Sequence, residues 1–171
     1  YKKWTNCKGV YLDPKDGDKY IGEWKDGKFD GQGKYSWSDG SEYKGNYKEG
    51  IKSGVGTYTY SNGNRYEGEY LYNKQNGQGK LSFQDGEIYV GEFSNGKFHG
   101  EGEYTFINGS KYIGQYVDGI KNGQGTYFYS KGYKYEGFFK KGIFHGQGKL
   151  SFHDGENYTG NFENGKFNGY G

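Results

Sequence analysis

Seven tyrosines, Tyr20, Tyr43, Tyr66, Tyr89, Tyr112, Tyr135 and Tyr158, stand 23 residues apart with no insertion or deletion between them. A period of that length marks a repeat architecture, in which each unit is one supersecondary element stacked on the next. A glycine follows two residues behind each tyrosine, from Gly22 to Gly160. Two further on comes a second ring: Trp24, Tyr47, Tyr70, Phe93, Tyr116, Phe139 and Phe162. A Gly-x-Gly pair then recurs, from Gly31 and Gly33 to Gly169 and Gly171. Behind each complete pair a ring or Leu fills alternate positions, as at Tyr35 and Trp37 or Leu81 and Phe83. A longer period overlies this one. Residues 27–95 return closely in residues 96–164, so that "GQGKLSFQDGE" is answered by "GQGKLSFHDGE", as duplication of a three-repeat block would produce.

Tyr-x-Gly-x-Trp and Gly-x-Tyr-x-Trp both alternate with period two, which is the pattern of a strand. Asp26-Gly27 and Asp39-Gly40 are hairpin-turn pairs, read here as residues that take positive φ. Each repeat is therefore two antiparallel strands, and the second turn joins one hairpin to the next. The expected fold is all-β: an elongated single-layer antiparallel meander, a solenoid of stacked hairpins about 70 Å long at ~4.8 Å per strand. Rings and glycines share parity and so share a face. A glycine leaves a gap in its strand's side-chain layer, and a ring from the adjacent strand is expected to lie across it. The opposite face carries Glu23, Lys25, Lys34, Ser36, Glu69 and Lys80 and reads as the wet side of the sheet. Residues 1–19 fit the period poorly and are assigned to a degenerate repeat or N-terminal cap. Residues 20–171 hold six full repeats and a truncated seventh.

Composition narrows the function. The 171 residues include 35 Gly, 21 Tyr and 12 Phe, no Met and a single Cys. There is no Ala and little Leu, so no segment reads as a helix. The rings argue against disorder, which glycine alone would suggest. A net charge of +2 gives no field that would draw in nucleic acid, and Arg65 is the only guanidinium available for base or phosphate recognition. Cys7 alone excludes an internal disulfide and favours a reducing, cytoplasmic location. No apolar run approaches the ~20 residues of a membrane span. The chain starts at Tyr1 and stops at Gly171 inside a repeat, which reads as a piece of a longer protein.

"YIGEWKDGKFDGQGKYSWSDG", residues 20 to 40, resembles the membrane occupation and recognition nexus (MORN) repeat at every diagnostic position, and the resemblance runs through residue 171. The third repeat departs from it, with Asn73 in place of the turn glycine, and that turn is expected to be looser or differently shaped. The Lys-for-Arg bias and the lack of Ala suit an AT-rich protist source. The resemblance implies a non-enzymatic scaffold or adaptor, placed at a cytoskeletal, ciliary or membrane-associated assembly, that receives a peptide or helix of a partner protein in an aromatic-lined groove. It also implies dimers through terminal repeats. Gly171, ending mid-hairpin, is expected to leave an open edge for self-association through the C-terminal repeats. The alternative is a peripheral phosphoinositide- or membrane-binding module, or the regulatory repeat region of a larger lipid-kinase-like protein, acting through Lys-rich loops such as those of Lys44, Lys48, Lys52, Lys140 and Lys141.

The groove residues expected from the period are Tyr20, Trp24, Trp37, Tyr43, Tyr47, Tyr66, Tyr70, Tyr89, Phe93, Tyr112, Tyr116, Tyr135, Phe139, Tyr158 and Phe162. Taken singly, most such rings are core. A one-layer sheet cannot close over all of them, however, and the remainder forms an interaction surface. Phe29, Phe98, Phe144 and Phe167 share one position after the first turn, where Lys52, Gln75 and Lys121 stand in the other repeats. A core site would exclude Lys, so this position is placed at the groove rim, its Phe residues acting as partner contacts or as lids on the turn. Ile107, Ile113, Val117, Phe128 and Phe138 break the polar face on consecutive strands and read either as drift in β-propensity or as a second contact surface. The Gly-x-Gly-Lys sequences lack the earlier glycine of a phosphate loop, with Lys28, Lys74 and Ile143 in its place. His99, His145 and His153 do not assemble four zinc ligands with Cys7. No catalytic residue, metal or cofactor is therefore expected.

Overall fold

The computed structural model describes residues 6–169. They contain strands and turns and no helix. The chain divides into two compact units, Tyr1–Gln84 and Asp85–Gly171. The first holds β1 (Cys7–Leu12), β2 (Lys19–Lys25), β3 (Lys28–Ser36), β4 (Glu42–Lys48), β5 (Ile51–Thr59), β6 (Arg65–Leu71) and β7 (Lys74–Ser82). The second holds β8 (Ile88–Ser94), β9 (Lys97–Thr105), β10 (Lys111–Val117), β11 (Ile120–Phe128), β12 (Lys134–Lys140), β13 (Ile143–Ser151), β14 (Asn157–Glu163) and β15 (Lys166–Asn168). Within each unit every strand pairs antiparallel with its neighbour in sequence, which makes a one-layer meander. β1 takes the place of a repeat's second strand, setting Gly9 against Gly22 and Tyr11 against Tyr20.

The two turns of a repeat differ. In the first, Asp26 (φ 50°) and Gly27 (φ 78°) both adopt left-handed backbone, as a two-residue hairpin whose twist matches its strands requires. In the second, only Gly40 (φ 88°) does. Asp39 keeps an ordinary φ and instead accepts from the Ser41 amide through Oδ1, at 2.7 Å, so the expectation of positive φ at Asp39 is corrected. The third repeat's first turn is not looser either. Tyr72 (φ 49°) and Asn73 (φ 66°) reproduce the geometry, because Asn tolerates the left-handed region. The Asn73 amide donates to the Lys52 carbonyl at 3.1 Å, as Gly50 does to Phe29 at 2.8 Å. Asn73 Oδ1 also accepts the Lys52 amide at 2.7 Å.

The core explains why glycines and rings alternate. Tyr20 is fully buried and lies flat over the paired Gly22 and Gly33. A Cβ on Gly22 would stand 2.4 Å from the Tyr20 hydroxyl, and one on Gly33 2.3 Å from it. The ring thus covers a glycine of its own strand as well as one of the next, where only the second was expected. Its hydroxyl donates to the Glu23 carbonyl at 2.8 Å. The arrangement recurs through Tyr135, and the hydroxyl bond continues to Tyr158, which is only half-buried and donates to the Asn161 carbonyl at 3.1 Å. The second ring meets the first edge-on, as Trp24 meets Tyr20 at 5.4 Å and 89°, and so does the second ring of the next repeat, Tyr47, at 5.4 Å and 87°. Full burial of such a side chain is worth roughly 1.5–3 kcal/mol. These edge contacts add about 0.5–1.5 kcal/mol per pair.

A polar side chain links one repeat to the next. Asp18 accepts the Ser38 amide at 2.9 Å and the Tyr35 hydroxyl at 3.0 Å. Ser41 accepts the Ser61 amide, Asn64 that of Gln84, and Ser110 that of Ser130. Each satisfies a loop amide 20 residues on with an oxygen from the preceding turn.

Candidate functional site

In the first two repeats of each three-repeat block, the strand after the Gly-x-Gly pair runs into two rings that the core does not cover. In the first unit these are Tyr35 and Trp37, then Tyr58 and Tyr60, all partly exposed. Trp37 lies 4.6 Å from Tyr35 and 5.2 Å from Tyr58, which lies 4.5 Å from Tyr60, all at tilts of 39–50°. The second unit repeats the row with Tyr104, Phe106, Tyr127 and Tyr129, at 4.6, 5.6 and 4.5 Å. Among the described residues no second layer covers these rings within either unit.

The structure places thirteen of the fifteen expected groove residues in the core. Tyr20, Tyr43, Tyr66, Tyr89, Tyr112 and Tyr135 are fully buried, and Trp24, Tyr47, Tyr70, Phe93, Tyr116, Phe139 and Phe162 nearly so. Of the expected set, only Trp37 and Tyr158 keep part of their surface. This corrects the expected groove floor. The first two rings of a repeat are consumed in covering glycines and one another, and the open apolar area belongs to the pair behind Gly-x-Gly.

The Phe position after the first turn is corrected as well. Phe29, Phe98 and Phe144 stack face-on against Tyr20, Tyr89 and Tyr135, each at 3.7 Å and within 13° of parallel. They act as lids over the buried tyrosines. Phe167 packs less regularly on Tyr158, at 4.3 Å and 43°, and is 55% exposed. Lysine is accepted at this position because its ammonium finds ring faces. Lys52 Nζ lies 4.5 Å from the Tyr58 centroid, 4.7 Å from Trp37 and 5.0 Å from Tyr43. Lys121 Nζ lies 4.7 Å from Phe106 and from Tyr127, and 4.9 Å from Tyr112. Burial pushes both ammonium groups down to about 8, so the rings offset only part of the lost hydration. Beneath each row a buried hydroxyl, that of Tyr47, Tyr70 or Tyr116, has no hydrogen-bond partner among the described residues. Desolvation drives all three far above the ordinary tyrosine range.

The other face is polar and laced with exposed ion pairs such as Lys34–Glu42 at 2.6 Å and Lys111–Glu103 at 2.7 Å. The register separates the apolar exceptions there. Phe128 stands between Lys111 and Lys134, Phe138 between Gln124 and His145, and Ile113 between Glu103 and Thr126. Val117 pairs with Ile120 at the hairpin end. Ile107 was expected on a strand and lies in the turn beyond β9 instead. The expected edge at Gly171 lies outside the described residues. Among the described residues no group of three His, Cys, Asp or Glu could hold a metal ion, and no helix is long and apolar enough to cross a membrane.

The MORN repeat family model matches seven consecutive segments, residues 20–42, 43–65, 66–88, 89–111, 112–132, 135–156 and 158–171. The chain is a MORN repeat protein. No curated protein matches it significantly. Among solved structures this MORN chain is similar to the SAS-4 (dCPAP) TCP domain of Drosophila melanogaster, solved in complex with a proline-rich motif of Ana2 (dSTIL). The identity is 17% over 91% of this chain and 90% of that one, with a TM-score of 0.49. It is also similar to the G-box domain of the microcephaly protein CPAP, at 14% identity over 90% of this chain and 97% of that one, with a TM-score of 0.45. Both scores fall below one half, and neither likeness bears on what the MORN repeats of this chain do.

Proposed function

We propose that the chain is a non-enzymatic scaffold that holds an apolar segment of a partner protein against its open ring row, at a cytoskeletal or membrane-associated assembly. The observation that carries this reading is the row itself: Tyr35, Trp37, Tyr58 and Tyr60, with their duplicates Tyr104, Phe106, Tyr127 and Tyr129, stay part-exposed in contiguous ladders while the reverse face is charged. Large rigid rings with polar tips give contact area at low entropic cost.

Proximity labelling with the Trp37→Ser/Tyr58→Ser variant tests the reading, with circular dichroism to confirm that the sheet persists. Partners lost from this variant and kept by Lys34→Ser support it. The lipid alternative is separated by flotation with phosphoinositide vesicles across a salt series. Membrane binding that ignores the ring substitutions and vanishes at modest salt would replace the proposal.

A further inference from the structure

The ring row carries an embedded positive charge with no counter-charge. Among the described residues no carboxylate lies within ion-pair distance of Lys52 or Lys121, although seven other basic side chains of the chain find one. Each ammonium stands among the rings that line the open row, Trp37 and Tyr58 for Lys52, Phe106 and Tyr127 for Lys121. Lys121 also borders a hollow of about 250 Å³ shared with Tyr127, Tyr129, Phe139 and Phe144. The duplication that relates the two halves carries lysine onto lysine and each row ring onto a ring, whereas it carries Gln75 onto Phe144.

A lysine used only as filler could be a phenylalanine, as it is at three equivalent positions where the ring stacks at 3.7 Å. Retaining an ammonium in apolar surroundings costs free energy that cation–π contact only partly returns. A carboxylate arriving from outside would return the rest. We infer that the segment bound on each ring row presents an acidic side chain, Asp or Glu flanked by apolar residues, whose carboxylate pairs with Lys52 in the first unit and with Lys121 in the second. This inference rests on the scaffold reading and specifies the partner's chemistry.

The pairing makes binding depend on pH. The groups that face Lys52 are the rings of Trp37 and Tyr43, with Tyr58 of β5 and Tyr70 of β6. Those that face Lys121 are Phe106, Tyr112 and Tyr127. Burial raises Tyr43, Tyr70 and Tyr112 above the ordinary tyrosine range, so the lysines carry the pH dependence here. Their free value of about 8 must rise when a carboxylate arrives, so binding takes up protons near pH 8 and weakens as pH climbs above it.

The test is a selection of random 12-residue linear peptides displayed on phage, panned at pH 7 against the whole chain and in parallel against the Lys52→Met/Lys121→Met variant. Methionine keeps the stem and removes the charge, and circular dichroism checks that the variant folds. The expected result is enrichment of Asp or Glu among apolar residues on the parent only. An enriched peptide should lose about tenfold in affinity on the double variant. Changing its acid to the amide should cost the same on the parent and nothing further on the variant. Peptides that bind the ring row without an acid, or that bind parent and variant equally, would overturn this inference and leave the scaffold reading standing. Failure to enrich any peptide sensitive to Trp37→Ser/Tyr58→Ser or to Phe106→Ser/Tyr127→Ser would overturn both.

Discussion

Replacing Gly102 by alanine asks whether glycine here is a socket or merely a weak strand residue. Gly102 has ordinary strand backbone, so a methyl group meets no dihedral penalty, and in an empty site it would stabilise by roughly 0.4–1 kcal/mol by restricting the unfolded chain. The site is not empty. The new Cβ would stand 2.4 Å from the Tyr89 hydroxyl and 2.6 Å from Cε2 of its ring, about 1 Å inside ordinary contact. Tyr89 cannot retreat freely. It is fully buried, its hydroxyl donates to the Glu92 carbonyl at 2.8 Å, and Phe98 is stacked on it at 3.7 Å. Overpacking of this kind costs about 1–3 kcal/mol, and losing the hydrogen bond adds about 1 kcal/mol. With a urea slope of about 1–3 kcal/mol per molar, Gly102→Ala should lower the denaturation midpoint by roughly 1–2 M. Gly155→Ala, at a turn with φ +93° and nothing within 4 Å, should cost only the backbone strain of about 1–2 kcal/mol. A Gly102→Ala midpoint equal to or above the parent's would refute the socket argument.

Three further outcomes follow from the same geometry. Both variants at Asn73 lose the 2.7 Å bond to the Lys52 amide; Asn73→Gly should be nearly neutral because glycine relieves the strain of φ 66°, whereas Asn73→Val should cost about 2 kcal/mol or more because a β-branched residue resists that φ, and thermal melts of the two variants decide it. Ser110→Ala should destabilise by about 1 kcal/mol and raise hydrogen exchange at the Ser130 amide, which the Ser110 hydroxyl accepts at 3.1 Å. The third concerns pH. Lys52 and Lys121 hold folded values of about 8 against an ordinary 10.5, so the unfolded chain binds more protons between those limits and stability rises with pH there. Tyr20, Tyr43 and Tyr135 are pushed up to about 12, so the unfolded chain loses protons first above pH 10 and stability falls. Urea midpoints across the alkaline range should therefore peak near pH 10, and the Lys52→Met/Lys121→Met variant should lack the rise that precedes the peak.

The strand pairing was legible because it depends on parity, and parity survives in sequence. Tyr20, Gly22 and Trp24 point the same way whatever they touch. What each ring touches was not legible. Tyr20 and Tyr35 are the same residue type on facing strands and directly paired, yet one is fully buried and the other part-exposed. The difference is that Tyr20 precedes a glycine on its own strand, and its ring can fold down over the Gly22–Gly33 pair, whereas Tyr35 follows its glycine. That order is visible in the sequence and could have separated core from row. Lys52 and Lys121 misled for a physical reason. Exclusion of lysine from cores assumes an aliphatic surround, and here the surround is π faces. The links from Asp18, Ser41, Asn64 and Ser110 were present as an oxygen-bearing residue two positions before each tyrosine, a regularity hidden by its changing chemical identity.

The claim that one face adheres and the other does not is tested most directly by isotope-filtered NOE spectroscopy on the labelled chain bound to an unlabelled peptide enriched in the selection. Cross-peaks from the peptide should reach ring protons of Trp37 and Tyr58, or of Phe106 and Tyr127, and none should reach the methyl groups of Ile21, Val55 and Ile113. Cross-peaks to those methyl groups with none to the rings would contradict the account.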